Sequence, residues 1–263
     1  MNHSPFGYSA VSTFEQCPFR YKCQNIDSLQ TIPSDDPANA LILGTALHRG
    51  IETDVDTAIS EYFGSFPIIT DQHIDEEIKL RYLIPKVKEV IPVGTHEVQV
   101  VDTNFIGTLD LLVPVDPLQN PVTGEDMTTE YDLYDFKYSN NWLRYMDSRQ
   151  LHLYKYYWEK RNPGKQIQNM YFVFIPKVQI RQKKTETLFD FRKRLLNELD
   201  KVQIKVEPID YNPYKVIQHL ELTQRIMQCQ DYPKNPTRLC DFCEFKQYCQ
   251  SDGKEDWMIY GKE

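Results

Sequence analysis

The chain has 263 residues, 41% hydrophobic and 26% charged, which suits one large domain or a main domain with small appendages. A net charge of −8 excludes an overall basic, nucleic-acid-coating surface, and no stretch is long and apolar enough to cross a bilayer. Residues 1–16 lack the basic start and apolar run of a signal peptide, so the expected setting is a reducing, cytoplasmic one with no membrane partner.

In chain order, residues 8–24 read as a short helix that Ser9 or Ser12 can cap, followed by a polar loop over 25–40. Leu43, Leu47, Ile51, Val55 and Ile59 recur every four residues and predict one helix over 40–63. A further helix fits 73–89. From Thr95 the period changes to two, predicting strands over 96–101, 105–113 and 132–138, with a turn-rich connection at 116–126. A helix over 146–161 ends at Asn162-Pro163-Gly164, a strand covers 168–175, and helices cover 186–206 and 213–230. This order predicts an α/β core with a small mixed sheet flanked by helices. No glycine-rich turn follows a first strand, which excludes dinucleotide and Walker-type phosphate sites.

Charge is distributed unevenly. Residues 27–80 carry eleven acids against two basic residues, whereas 177–205 carry nine Lys/Arg against four acids and 144–165 add six basic residues. A local positive face can track a phosphate backbone on an acidic protein, although such runs are more often solvated surface.

The run Tyr134-Asp135-Phe136-Lys137-Tyr138 is the most informative segment. Period-two alternation puts Asp135 and Lys137 on one strand face, where burying an acid and a base is expensive unless they are paired or used. Asp110 interrupts the apolar run Leu109-Asp110-Leu111-Leu112, and His48 lies on the first long helix with Glu52 one turn on. Two carboxylates, one imidazole and the backbone carbonyl of Phe136 form a hard ligand set suited to Mg²⁺ or Mn²⁺. Phosphodiester hydrolysis needs these parts: an ion to polarise the phosphate, and an ammonium to neutralise growing charge and orient water. Gln150 and Tyr154, four apart, share a helix face downstream.

The six cysteines are Cys17, Cys23, Cys229, Cys240, Cys243 and Cys249. The last three follow a CxxC-x₅-C spacing that points to zinc or an iron–sulfur centre, with Cys17 as the preferred fourth ligand and Cys23 as the runner-up. Spacing alone leaves zinc and iron–sulfur both open.

In this order the motifs resemble the PD-(D/E)XK nucleases of the RecB type, most closely the iron–sulfur branch containing the CRISPR-associated RecB-like exonucleases and the AddB nuclease domain. The segment Ser9 to Tyr21 is similar to that family's first helix with its cluster cysteine. The resemblance implies a restriction-endonuclease-like core within a single nuclease domain over 1–263. Its parts are an N-terminal helical region (1–90), a nuclease core (91–206) and a C-terminal helical and cluster region (207–263). It further implies that His48, Asp110, Asp135 and the Phe136 carbonyl hold the ion, that Lys137 is the catalytic lysine, and that Gln150 and Tyr154 belong to the site. Cys17, Cys240, Cys243 and Cys249 would bind a [4Fe–4S] cluster joining the chain ends. The implied activity is a metal-dependent DNA exonuclease that prefers single-stranded DNA ends. Asp135 stands where many relatives have Glu. Small free-standing members occur in phages, prophages and CRISPR loci. Two rival expectations are a DNA- or partner-binding subunit of a recombination or CRISPR integration complex, and a structure-specific endonuclease.

Overall fold

The computed structural model describes residues 6–31, 35–124, 126–253 and 259–261. It opens with α1 (Tyr8–Gln16) and α2 (Pro18–Tyr21), followed by a π turn (Lys22–Ile26) and β1 (Leu29–Thr31). The break falls at Cys17, whose extended backbone is followed by Pro18 at the first helical position. The expected single helix over 8–24 is therefore three short pieces. Gly7, not Ser9 or Ser12, occupies the N-cap position.

The helix expected over 40–63 is also divided, into α3 (Ala40–Glu52) and α4 (Val55–Gly64). Asp54 starts the second by accepting the Thr57 N–H at 2.9 Å, a local cap that the four-residue apolar rhythm conceals. There follow α5 (Asp71–Val90), β2 (Thr95–Asp102), β3 (Phe105–Val115) and β4 (Glu130–Tyr138). Next come α6 (Leu143–Met146), α7 (Gln150–Arg161), β5 (Gln166–Ile175) and α8 (Leu188–Asp200). The expected 186–206 helix stops at Asp200, and β6 (Lys205–Pro208) takes over where Val202, Ile204 and Val206 alternate. The chain then forms α9 (Pro213–Gln228), a 3₁₀ turn (Arg238–Phe242), α10 (Lys246–Gln250) and β7 (Ile259–Gly261).

These elements form two compact units. One comprises 35–99 and 108–211 and contains most of the five-stranded sheet, whose order is β2-β3-β4-β5-β6. The sheet is mixed: β4 runs antiparallel to β3 and parallel to β5, and β5 runs antiparallel to β6. The parallel pair requires a crossover, which α6 and α7 supply. On one sheet face Phe136, Val173, Ile175 and Leu111 pack with buried residues of α3, α4, α5 and α8. The other face carries Asp135, Lys137, Phe172 and Phe174 under α6, with Trp158 of α7 edge-on to Tyr131.

The second unit comprises 1–34, 100–107 and 212–263. Its core joins Phe6, Val11, Phe14 and Tyr21 to Leu222 and Ile226 of α9. Here β1 pairs antiparallel with β7, so the two ends of the described chain meet in one small sheet.

Candidate metal centre and cysteine cavity

The β3–β4 ladder ends at Leu111 opposite Tyr134. Beyond that point the Asp110 side chain replaces a backbone partner, its Oδ2 accepting the Phe136 N–H at 2.7 Å. The Phe136 carbonyl lies 3.2 Å from His48 Nε2, and His48 Nδ1 lies 3.6 Å from Asp110 Oδ1. The structure thus brings His48, Asp110 and the Phe136 carbonyl together. α3 supplies the histidine across the helix-covered face, and the strands supply the rest.

Glu97 completes the group. Donor atoms of His48, Glu97 and Asp110 all lie within 4.8 Å of one another, forming a site that can receive an ion. Sequence reading missed Glu97 because it sits in an alternating strand as an ordinary exposed acid. Its backbone is not ordinary: φ is 53°, a left-handed conformation inside β2 that costs a non-glycine residue about 1–3 kcal/mol. A hydrophilic residue held in strain beside His96 was the available local clue, and it has no sequence signature.

Asp135 is fully buried, and its carboxylate forms an ion pair with the Lys137 ammonium. This buried couple lies next to Asp110. Burial, reinforced by the Asp135 charge, pushes the Asp110 carboxyl well above the usual carboxylate range. Burial works against the Lys137 ammonium, but Asp135 and Asp110 outweigh it and hold its pKa above the ordinary lysine value. Burial also lowers His48, keeping the imidazole in the neutral form that can bind a metal. These groups fit a divalent ion: carboxylates of Glu97 and Asp110, a neutral imidazole and a backbone carbonyl converge on one spot.

A cleft of about 730 Å³ opens over this group, with Glu52, Glu61, Glu97 and Asp110 in its lining and, among the described residues, Arg49 as its one cationic side chain. Arg49 is already engaged, 2.6 Å from Glu52. An anionic cleft repels a phosphodiester unless a cation enters with it. Gln150 and Tyr154 do share a face of α7, where Gln150 Nε2 donates to Tyr154 Oη at 3.0 Å.

The basic segment is less available than its composition suggested. Arg192 is bound to Asp75 and Asp71, and Arg194 to Glu186, while Arg181, Lys183, Lys184 and Lys193 are exposed.

In the other unit, Cys17, Cys240, Cys243 and Cys249 line one cavity of about 650 Å³. Cys23 is fully buried and does not line it, and the Cys229 thiol donates to the Asp231 carbonyl at 2.9 Å. Among the described residues no three cysteine sulfurs approach within 4.8 Å of one another, so the expected centre joining the termini is not drawn closed. The ends are held instead by β1–β7 pairing, by Arg20 Nη2 against Glu244 at 3.0 Å, and by Asn235 Nδ2 donating to the Gln16 carbonyl at 2.7 Å.

Comparison with known proteins accords with this geometry. A model described as the PD-(D/E)XK nuclease superfamily matches residues 5–250. The crystal structure of a candidate exonuclease from Eubacterium rectale superposes with a TM-score of 0.51 at 11% identity, covering 90% of this chain and 92% of that one. At that identity the likeness is one of fold. No curated protein matches the sequence.

Proposed function

Because the chain belongs to the PD-(D/E)XK nuclease superfamily, we propose that it is a divalent-metal-dependent deoxyribonuclease, acting as an exonuclease on single-stranded DNA ends. The observation that carries this reading is the convergence of His48, Glu97 and Asp110 beside the buried Asp135–Lys137 pair. His48, Asp110, Asp135, Glu97 and the Phe136 carbonyl would hold Mg²⁺ or Mn²⁺. The ion, when bound, supplies polarisation of the scissile phosphate and acidification of a water. Lys137 places a positive charge where negative charge grows on the phosphoryl oxygens, and its fixed ammonium can orient the attacking water. Asp135 holds that ammonium in place. Gln150 and Tyr154, hydrogen-bonded to each other, would steady the DNA strand.

The four cavity-lining cysteines would hold a [4Fe–4S] cluster, as in the RecB-like iron–sulfur branch. One feature supports this choice over zinc. The cavity leaves the sulfurs apart, whereas zinc at about 2.3 Å from each thiolate would need them about 3.8 Å from one another. The Thr237 N–H donates to Cys240 Sγ at 3.4 Å, a contact that would stabilise the thiolate in either kind of centre.

The wild-type protein is expected to degrade linear single-stranded DNA with Mn²⁺, and Asp110→Asn to stop that degradation while remaining folded. Folded, metal-loaded wild-type protein that cuts no DNA would overturn the reading and favour a DNA- or partner-binding role in a recombination or CRISPR assembly.

A further inference from the structure

The strand register places Lys137 of β4 opposite Phe174 of β5, and Phe174 opposite Lys205 of β6. Directly paired residues project to the same sheet face, so these three form a row across it. Two inter-strand spacings, ~10 Å, separate the first lysine from the last. The space between is paved with aromatic rings. Tyr145 lies 5.6 Å from the Lys137 ammonium and 6.1 Å from the Phe174 ring. Trp142 is edge-on to Phe174 at 6.5 Å, and the Lys205 ammonium sits 4.2 Å from the centre of the Trp142 ring.

A cavity of about 320 Å³ opens at the far end of this row, lined by Trp142, Phe174, Pro176, Gln203 and Lys205 among others. It lies beyond the carboxyl ends of the parallel strands β4 and β5, the position where open α/β sheets take ligands. Its wall is fixed. Asn140 Nδ2 donates to the Lys177 carbonyl at 2.9 Å, and the Lys177 N–H donates to Asn140 Oδ1 at 2.7 Å. The Ser139 N–H donates to the Ile175 carbonyl at 3.1 Å, extending the ladder past the strand ends. This clamp fixes the strand end two residues before Trp142, a residue that remains 38% exposed. Lys205 also pairs with Glu207 at 2.5 Å, which orients its ammonium without burying it.

We propose that this cavity receives one unstacked nucleobase of the DNA strand engaged at the metal centre, stacked on Trp142 with Lys205 toward the adjoining phosphate. This inference rests on the nuclease reading above. A planar base can replace the Lys205 ammonium over the part-exposed Trp142 ring, the displaced cation suits the anionic backbone, and the ~10 Å offset from Lys137 places the base within a few nucleotides of the cut. Because every base has a π-face, the pocket reads single-strandedness rather than sequence. A paired base would first have to leave its duplex.

The test uses full-length Asp110→Asn protein and a labelled single-stranded oligonucleotide in which one abasic nucleotide is walked along the strand. One position, or two neighbouring ones, should lower affinity by roughly tenfold or more. Trp142→Ala should erase that positional penalty and Trp142→Phe should retain it. Lys205→Ala should weaken binding at every position and make the salt dependence shallower. Tight binding with no positional penalty would overturn the base pocket and leave the nuclease reading standing. A positional penalty that survives Trp142→Ala would also overturn it. Failure to bind any DNA would overturn both.

Discussion

The metal centre and the cysteine cavity each gather residues from distant parts of the sequence, but they are held differently. At the metal centre the scaffold is a buried sheet: Leu109, Leu111 and Leu133 are fully buried, and Phe136 nearly so. Charged groups are fixed there before any ion arrives. Around the cysteines, neither the 3₁₀ turn 238–242 nor α10 has a buried residue of its own, and Phe245 between them is the anchor. Exposed polar contacts hold the rest, and such contacts are individually weak. Hydrophobic burial alone can therefore build the candidate metal centre, whereas the cysteine region rests on Phe245 and on individually weak surface contacts.

The largest expected effect strikes the first region. Lys137→Ala should abolish cleavage and also destabilise the protein by about 3–5 kcal/mol, because it leaves the Asp135 charge buried and unpaired. The paired change Asp135→Asn/Lys137→Met should recover most of that stability in urea unfolding while remaining inactive. If Lys137→Ala were as stable as wild type, the pair would not be the buried couple described.

In the second region, Cys240→Ser should cost the amides of 233–253 on the order of tenfold or more of their hydrogen-exchange protection and leave β3 to β5 unchanged. Equal loss in both regions would erase the contrast between them. Anaerobically purified wild-type protein should contain about four irons per chain, and one zinc without iron would replace the cluster with a structural zinc site.

A smaller effect separates strain from ligation at Glu97. Glu97→Gly suits the left-handed backbone, so it should add about 1 kcal/mol of stability while lowering Mn²⁺ affinity by calorimetry. Unchanged affinity would remove Glu97 from the ligand set.

The mildest effect is on pH. The folded state raises the Asp110 pKa, so without metal it holds a proton there that the unfolded chain has released. That contribution is full below the unfolded carboxylate pKa and is lost as pH rises through the raised folded value. A divalent ion needs the deprotonated form, so thermal stabilisation by Mn²⁺ should grow as pH rises across this window. Stabilisation that shrinks with rising pH would contradict the assignment.

Much of the candidate metal centre was legible in the sequence because strands have a strict period. Asp110, Asp135 and Lys137 broke apolar or alternating patterns, and His48 lay on a strongly periodic helix. Glu97 was not legible, since its role depends on a backbone angle rather than on a pattern. Helix boundaries were lost where an apolar rhythm ran through a local cap, as at Asp54, or where it passed from helix to strand, as after Asp200. The cysteine spacing picked out four residues that line one cavity, but spacing carries no distance between sulfurs. Lys205 was visible only as one member of the basic run 177–205 and Trp142 gave no signal, because only strand pairing sets Lys205 in a row with Lys137.

The central claim is most directly tested by titrating Mn²⁺ into wild-type protein with linear and circular single-stranded DNA of the same sequence. The account predicts that the linear strand is degraded only when the ion is present and that the circle persists. Cleavage of the linear strand after complete metal removal would contradict the assigned centre, and cutting of the circle would make the enzyme an endonuclease.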